Sequence, residues 1–494
     1  MAAKTNFTAM LALYLLSLMF MAGAHARKVN KDSIFDVQAA LRAARGGAAQ
    51  RFEAKAVEEE ELADQTLAVT LTPPLKEAAA EQQTLAVPLV HRDAVAGATN
   101  WTYEQRIKQM LKRDAARVAA IYDRLSNLTA KRPLMESGGV EIPVMSGKGE
   151  GSGEYFTRIG VGTPARQQLL VLDTGSDITW LQCQPCEDCY SQSDPIFNPA
   201  FSSSFNGVSC DSNLCRQLDQ SGCSRQGNCQ YQVSYGDGSY TVGSFDTETV
   251  TLGKTRVSNV AFGCGQDNEG LFVGASGLLG LGGGAFSLPS QLSHSNGNIF
   301  SYCLVYRDSS ASSTLQFGRE AVPREAVFVP LLKNSRINTF YYVSLAGISV
   351  GGNMLNIPES VFRIDATGNG GVILDSGTPV TRLQRGAYVA LRDAFVAGMG
   401  NLQLSDGFVL FDTCYKFPNR VSVTVPSIAF HFSNGVSLPL PAKNYLVAVN
   451  SRKICLAFAP VSSGMSIIGS IQQQGIRVSF DPVNARVGFA VNKC

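Results

Sequence analysis

Two short stretches of the sequence decide the fold, Val171-Leu172-Asp173-Thr174-Gly175-Ser176 and Ile373-Leu374-Asp375-Ser376-Gly377-Thr378. Each runs from aliphatic residues, typical of a buried strand, into an aspartate followed by a hydroxyl residue, a glycine and a second hydroxyl residue. One such stretch is a weak signal, because Asp and Gly are common in ordinary turns. Two copies about 200 residues apart, each behind an aliphatic run, indicate a duplicated unit.

The surroundings of the two aspartates repeat as well. A tyrosine and several glycines precede each copy, at 155–162 and at 342–351. An apolar-apolar-Gly segment follows each copy and ends at Gly280 in the first and at Gly469 in the second. Such internal duplication predicts two lobes related by a pseudo-twofold axis, with a cleft between them to which each lobe contributes one carboxylate.

The paired carboxylates predict a specific chemistry. Two carboxylates a few ångströms apart cannot both ionise easily, so Asp173 and Asp375 are expected to share a proton. The ionised carboxylate can deprotonate a water held between them, while the protonated one donates to a substrate carbonyl, and no covalent intermediate is needed. The glycine of each loop allows a tight turn. Ser176 and Thr378 are placed to hydrogen-bond the outer carboxylate oxygens and favour their charged form.

The last two-thirds of the chain has the sequence pattern of an all-β body. Short alternating segments are separated by Gly, Asn-Gly and Asp-Gly turns, which predicts a mainly β fold. We expect an N-terminal lobe at 151–336, with a cysteine-rich insert at 183–229, and a C-terminal lobe at 337–494. A Gly/Ser-rich stretch at 146–153 predicts a flexible hinge before this body.

The front third of the chain differs from the body. Residues 1–26 combine a basic start, an apolar run and an Ala-x-Ala cleavage site, as in a secretory signal peptide. Residues 27–150 contain little that could build a core, although a 3.6-residue period predicts a helix over 103–125. Glycosylation sequons begin at Asn100 and Asn127.

Composition excludes several classes of protein. A hydrophobic content of 45% in 494 residues excludes wholesale disorder. A net charge of +2 supplies no field that would recruit nucleic acid or an anionic membrane. No apolar run is long enough to span a bilayer, so we expect a soluble, exported chain with no membrane span.

The cysteines are confined to the body. Their even number fits six disulfides in an exported chain, and disulfides are favoured over a metal site. We therefore expect no metal and no cofactor. The twelve are Cys183, Cys186, Cys189, Cys210, Cys215, Cys223, Cys229, Cys264, Cys303, Cys414, Cys455 and Cys494.

A lid over the cleft is predicted at Tyr235-Gly236-Asp237-Gly238. Asp-Gly between two strand-like segments is a hairpin signal, although it also marks ordinary turns. Trp180, seven residues after Asp173, offers an indole N–H that could bond the Tyr235 hydroxyl.

Taken together, these motifs resemble the pepsin-like aspartic proteases over residues 150–494. The cysteine-rich insert and the run Ile471-Gln-Gln-Gln-Gly475 are similar to the plant nepenthesin-type (atypical) subgroup and its "aspartic protease in guard cell" group. The resemblance implies a bilobal β fold, an extended peptide in the cleft and Tyr235 on a closing flap. It also implies the pairings Cys183–Cys186, Cys189–Cys264, Cys210–Cys229, Cys215–Cys223, Cys303–Cys494 and Cys414–Cys455.

The resemblance implies that residues 27–150 are a propeptide. Residues 151–300 carry a net charge of −7 and residues 301–494 a net charge of +7, while the predicted helix is cationic. We hypothesise that the helix covers an acidic cleft and is attracted to the acidic first lobe. Reversing the charges of Lys112, Arg113 and Arg117 should then release activity early.

The function expected is an aspartic endopeptidase, a monomer made as a zymogen and active at acidic pH. Its partners would be extended peptide or protein substrates, pepstatin-type inhibitors and its own propeptide. We expect secretion to the apoplast, with the vacuole or endoplasmic reticulum as alternatives. Two other functions stay open, an inactive protease-like binding protein or inhibitor and a DNA-associated protease. The complete loop at 375–378 speaks against the first.

Overall fold

A computed structural model describes four stretches of the chain. They are 31–40, 85–92, 101–127 and 155–494, without 236–238, 271, 273, 308, 310–312, 418–421 and 462–463. The predicted signal peptide, the hinge, the sequon asparagine Asn100 and the flap-tip residues Gly236, Asp237 and Gly238 lie outside these residues.

The part of the chain before the body forms two strands and one long helix. These are β1 (Asp32–Asp36), β2 (Leu85–His91) and α1 (Tyr103–Asn127). The predicted helix is confirmed and extends two residues further. It begins with reciprocal capping, since Gln105 N–H donates to Thr102 Oγ1 at 3.2 Å and Thr102 N–H donates to Gln105 Oε1 at 2.7 Å.

The described part of the first lobe is built mainly from strands, with three short α-helices. Its elements are β3 (Tyr155–Val161), β4 (Arg166–Asp173), β5 (Trp180–Gln182), β6 (Asn206–Gly207), α2 (Asn213–Arg216), β7 (Ser221–Cys223), β8 (Cys229–Ser234), β9 (Tyr240–Leu252), β10 (Thr255–Glu269), β11 (Gly277–Gly280), α3 (Leu288–Gln291) and α4 (Ser293–Asn296). Three strands then lead to the second lobe, β12 (Phe300–Cys303), β13 (Ser313–Phe317) and β14 (Val327–Leu332).

The second lobe is also mainly β. Its elements are β15 (Tyr341–Val343), β16 (Leu345–Val350), β17 (Asn353–Met354), β18 (Val372–Leu374), β19 (Thr381–Gln384), α5 (Arg385–Gly398), β20 (Leu404–Ser405), β21 (Cys414–Lys416), β22 (Ser422–Pro426), β23 (Ile428–Phe432), β24 (Ser437–Leu440), β25 (Leu446–Asn450), β26 (Lys453–Leu456), β27 (Phe458–Val461), β28 (Ser466–Ile468), α6 (Ser470–Gln473), β29 (Ile476–Asp481) and β30 (Arg486–Val491). The mainly β, bilobal prediction is confirmed.

The two lobes repeat one strand arrangement around the aspartates. In the first lobe β11 runs parallel to β4 and antiparallel to β5, and in the second β28 runs parallel to β18 and antiparallel to β19. The glycine after each apolar pair allows a close backbone approach. A Cβ at Gly280 would lie 2.2 Å from Asp177 O, and one at Gly469 would lie 2.6 Å from Pro379 O.

A sheet shared by both lobes contains a strand that the sequence did not predict. Its order is β3-β2-β13-β12-β29-β30-β14, with neighbouring strands antiparallel. Val87 and Leu89 of β2 are buried in the core. The expectation that residues 27–150 contain little that could build a core is therefore wrong for this strand, because Val87 and Leu89 are buried where β2 pairs with β3 and β13.

Strand β1 extends the second lobe in the same way. It pairs antiparallel with β22, and Phe35 and Val37 are buried against the core of that lobe. Within the described residues, no helix combines the length and the apolar composition needed to cross a membrane.

The twelve cysteines form six disulfides, but four of the pairings that the resemblance implied are wrong. Cys303–Cys494 and Cys414–Cys455 are confirmed. In place of the other four, the bridges are Cys183–Cys264, Cys186–Cys189, Cys210–Cys223 and Cys215–Cys229. The correction follows from strand pairing, because β5 runs beside β10 and brings Cys183 next to Cys264, which leaves Cys186 and Cys189 to close their own short loop.

Candidate active site

The two aspartates lie at the ends of equivalent strands, deep between the lobes. Asp173 and Asp375 are 1% and 0% exposed. Each carboxylate accepts a hydrogen bond from the glycine N–H two residues later, at 2.9 Å from Gly175 and 3.0 Å from Gly377. Each also accepts one from the hydroxyl three residues later.

The outer hydroxyls take the predicted positions. Ser176 Oγ donates to Asp173 Oδ2 at 2.6 Å, and Thr378 Oγ1 donates to Asp375 Oδ2 at 2.5 Å. The two loops therefore hold their carboxylates through the same kind of donor.

The inner hydroxyls link the two loops to each other, a role that the sequence did not reveal. Ser376 N–H donates to Thr174 Oγ1 at 2.9 Å, and Thr174 N–H donates to Ser376 Oγ at 3.2 Å. The two hydroxyls are 3.3 Å apart. This reciprocal pair fixes the distance between the lobes at the level of the carboxylates, because each buried backbone N–H of the pair finds its acceptor in the other lobe.

The predicted support of the flap is present. Trp180 Nε1–H donates to the Tyr235 hydroxyl at 2.8 Å, and the rings of both residues contact Phe272 edge-on. Tyr235 lies in the hairpin between β8 and β9, where its N–H donates to Ser239 O at 2.8 Å. The hairpin prediction is therefore confirmed up to the tip.

Arg117 of helix α1 lies between the two aspartates. Its Nη2 is 2.5 Å from Asp173 Oδ1 and 3.2 Å from Asp375 Oδ1, and its Nε is 3.2 Å from Asp375 Oδ2. A further bond joins its Nη1 to Asp173 Oδ2 at 3.0 Å. Burial alone would lower the pKa of this guanidinium, but the charges of the two carboxylates outweigh burial and raise the pKa above its usual value.

The rest of helix α1 packs on the second lobe. One group of apolar residues, Ile107, Met110 and Leu111, meets Val380, Phe408, Phe411, Val449, Ala457, Ala459 and Ile471. Val118 and Ile121 meet Ile337, Phe340, Tyr342, Ile373 and Met465. Two arginines of the helix nevertheless pair with aspartates of the acidic first lobe, Arg117 with Asp173 and Arg124 with Asp219. The attraction of the helix to that lobe therefore stays a prediction. Burial of the apolar face stabilises the contact with the second lobe. The exposed pair between Arg124 and Asp219 contributes less, because salt screens it.

A second ion pair joins the helix to the second lobe. Asp114 is fully buried, and its carboxylate pairs with Arg382 Nη2 and accepts from Val380 N–H at 2.7 Å. The sequence reasoning missed Asp114 and Arg382. Superposing the two repeats would have drawn attention to Arg382, because it follows Asp375 by seven residues, as Trp180 follows Asp173.

Two lobes that each place one aspartate loop at a shared, buried pair define the class of the pepsin-like aspartic proteases. Within the residues described, no group of His, Cys, Asp and Glu side chains is arranged to hold a metal ion. The family models that match are "Xylanase inhibitor N-terminal" over residues 155–319 and "Xylanase inhibitor C-terminal" over residues 340–491.

Curated plant proteins are similar over most of the chain. "Aspartyl protease family protein 2" of Arabidopsis thaliana is 52% identical and covers 82% of this chain and 84% of its own length. "Protein ASPARTIC PROTEASE IN GUARD CELL 2" of the same plant is 49% identical, covering 82% and 87%. "Aspartic proteinase nepenthesin-1" of Nepenthes gracilis is 43% identical, covering 72% and 80%. The chain belongs to the plant aspartic proteases of the pepsin-like class, and it is an aspartic endopeptidase.

Solved structures share the fold at lower identity. The "Crystal structure of edgp" is 20% identical, with a TM-score of 0.61 over 84% of this chain and 96% of that one. The basic 7S globulin from soybean is also 20% identical, with a TM-score of 0.55 over 68% and 92%. At this identity the likeness concerns the fold alone.

Proposed function

We propose that Asp173 and Asp375 are the catalytic pair of this endopeptidase. The observation that supports this most is the matched bonding of the two carboxylates, each held by a glycine N–H and an outer hydroxyl. With one shared proton, the ionised aspartate deprotonates a bound water, which attacks the peptide carbonyl. The protonated aspartate donates to the carbonyl oxygen, and the roles reverse to protonate the leaving amine. The proton is shared in this mechanism, so neither residue alone is assigned it.

Residues 27–150 act as a propeptide that keeps the enzyme latent, with Arg117 as the inhibitory side chain. The guanidinium fills the space between the carboxylates and binds all four of their oxygens. Water and substrate cannot occupy that space at the same time.

Acid is the expected trigger of activation. Protonating the aspartates removes the charges that compensate Arg117, whose side chain is 6% exposed. Leaving a buried charge without its partner costs roughly 3–5 kcal/mol, which weakens the binding of helix α1. The enzyme is therefore latent near neutral pH and active at acidic pH.

The direct test is acidification of the purified full-length chain. At about pH 4, where free carboxyls begin to protonate, mass spectrometry should show loss of residues 27–150, and a denatured protein should be cleaved. Pepstatin should block both. An inactive binding protein would cleave nothing under these conditions, so this outcome would refute the proposal.

The role of Arg117 has a separate test. In Arg117→Met the pH midpoint for loss of the propeptide should move upward, because the carboxylates no longer have to be protonated before the helix leaves. Lys112→Met, an exposed residue of the same helix, is the matched control and should keep the wild-type midpoint. Equal midpoints for all three proteins would show that latency does not depend on Arg117.

The DNA-associated alternative gains nothing from the position of the helix. Arg113 and Arg117 are each 6% exposed and lie against the body. We infer instead that the chain is exported to the apoplast, with the vacuole or endoplasmic reticulum as alternatives, because six disulfides form in oxidising compartments. Retention of residues 27–150 on DNA in a salt-sensitive manner would be the minimum support for a nucleic-acid role.

A further inference from the structure

The cleft wall next to the aspartates contains a carboxylate-binding arrangement in the second lobe. Asp114 of helix α1 fills it, with the Arg382 guanidinium on one carboxylate oxygen and Val380 N–H at 2.7 Å from the other. Arg382 is only 5% exposed, and its buried Nε–H has no hydrogen-bond partner. An arginine in such a place is costly to bury unless an anion compensates it.

The duplication places Arg382 in the second lobe where Trp180 stands in the first. Ile178-Thr-Trp180-Leu-Gln182 and Val380-Thr-Arg382-Leu-Gln384 occupy equivalent places in the two repeats. Trp180 pairs with Leu278 of β11, and Arg382 pairs with Ile467 of β28. Trp180 supports the flap, so its counterpart in the second lobe is placed equally close to a bound substrate.

A cavity of about 840 Å³ adjoins this arrangement, between helix α1 and the second lobe. Arg382 and Arg336 lie in its wall on the side of the lobe, beside Met465, and Val118 and Tyr122 line it from the helix. Among the lining residues that the structure describes, none is a carboxylate. Once the helix has left, this part of the cleft is both roomy and cationic.

We propose that Arg382, together with Val380 N–H, binds an acidic side chain of the substrate beside the bond to be cut, and that Arg382 thereby determines specificity. The proposal rests on the proposed function, since it requires that helix α1 leaves the cleft. Asp114 occupies the pocket in the latent chain as the substrate carboxylate does in the active enzyme.

The helix gives the distance between this pocket and the aspartates. Asp114 and Arg117 are three residues apart on one helical face, which corresponds to about 4.5 Å along the axis. In an extended peptide, side chains on one face repeat about every 6.6 Å. The preferred acidic residue should therefore lie within about two positions of the cut bond.

The preference should depend on pH in a defined direction. The charged and titratable groups on the elements around Arg382 are Asp114, Arg117 and Tyr122 of the helix and Arg336 of the lobe, besides the aspartate pair itself. The arginines stay charged at any relevant pH, whereas substrate Asp and Glu ionise at about pH 4. The preference should thus be larger at about pH 5 than at about pH 3.

The test is cleavage of matched peptide pairs by the acid-activated enzyme, with Asp against Asn and Glu against Gln at each position near the cut bond. The acidic peptide should have a kcat/KM at least about tenfold higher at one position, or about 1.4 kcal/mol. Arg382→Met should abolish that ratio and Arg382→Lys should retain part of it. Arg385→Met is the control, since this exposed residue loses the same charge three residues away and should keep the wild-type ratio.

The outcomes separate this inference from the proposed function. Cleavage with equal rates for acidic and amide peptides at every position in the wild-type enzyme overturns the role of Arg382 and leaves the endopeptidase intact. A tenfold ratio that persists in Arg382→Met overturns it as well. Absence of any cleavage, by contrast, contradicts the proposed function itself. The comparison of peptides with the wild-type enzyme needs no variant, so it can overturn the inference even if Arg382→Met fails to fold.

Discussion

The two lobes repeat one backbone arrangement but use it for different tasks. The first lobe places Trp180 at the position where the second lobe places Arg382. The first lobe carries four of the disulfides, and the second receives β1 and the apolar face of helix α1. The comparison teaches that the strands fix where a side chain meets the cleft, while its identity decides whether that lobe supports a flap or binds a charge.

The largest predicted effect tests whether the two lobes contribute equally to catalysis through Asp173 and Asp375. Asp173→Asn and Asp375→Asn should each lower the kcat for peptide cleavage by about 10²–10⁴-fold, because either change removes one half of the acid–base pair. The measurement is single-turnover cleavage by proteins whose propeptide has been removed by an added protease. A circular dichroism spectrum matching the wild type is the control for folding. Substantial activity in one of the two variants would mean that the lobes do not contribute equally.

A smaller effect concerns stability in the first lobe. Asp246 is buried, and burial raises its pKa from 3.8 to about 6, although bonds from Ser244 and Val208 oppose the shift. A carboxyl whose pKa is raised by folding contributes stability fully below about pH 3.8 and loses it as the pH rises through about 6. This loss amounts to at most roughly 3 kcal/mol.

Asp246→Asn should therefore raise the free energy of unfolding by about 1–3 kcal/mol at pH 7 and change it little at about pH 4. Denaturant unfolding at the two pH values measures this difference. Asp211→Asn, at an exposed residue of the same lobe, is the matched control and should be neutral at both. An equal change at both pH values would contradict the assignment of the raised pKa to Asp246.

The smallest predicted effect lies in the second lobe, where a substitution lowers the stability at neutral pH instead of raising it. Burial lowers the pKa of His431, whose ring nitrogens are 2.8 Å from Ser437 Oγ and 2.7 Å from Ser349 Oγ. A histidine with a lowered pKa contributes stability above about pH 6.5 and loses it as the pH falls. His431→Gln should lower stability near pH 7 by under about 1 kcal/mol and less at about pH 4. A greater loss in acid than at neutral pH would reverse this conclusion.

Much of the fold and of the aspartate site could be predicted because the duplicated motifs are visible in the sequence. The aspartate loops, the bonds from Ser176 and Thr378 and the Trp180–Tyr235 bond follow from local motifs at fixed spacings. The disulfide pairing could not be predicted in the same way. Cys183 lies 81 residues from Cys264, and only the parallel pairing of β5 with β10 brings them together.

The segments before the body show the same limit. Strand β2 has an ordinary alternating sequence, and its place between β3 and β13 depends on neighbours far along the chain. Arg117 was one of several basic residues on a predicted helix. Nothing local distinguished it from Lys112, because its partners are 56 and 258 residues away.

The sequence by itself determined the two aspartate loops, the mainly β class and the chemistry that a shared proton permits, because each of these depends on residue types at short range. Only the tertiary structure decided that Arg117 lies between the aspartates and that Asp114 meets Arg382. The physical reason is that an amphipathic helix specifies an apolar face to bury but not the surface that buries it. That surface exists only once both lobes have folded. The partners of the charged residues beside the apolar face are therefore set by the tertiary structure as well.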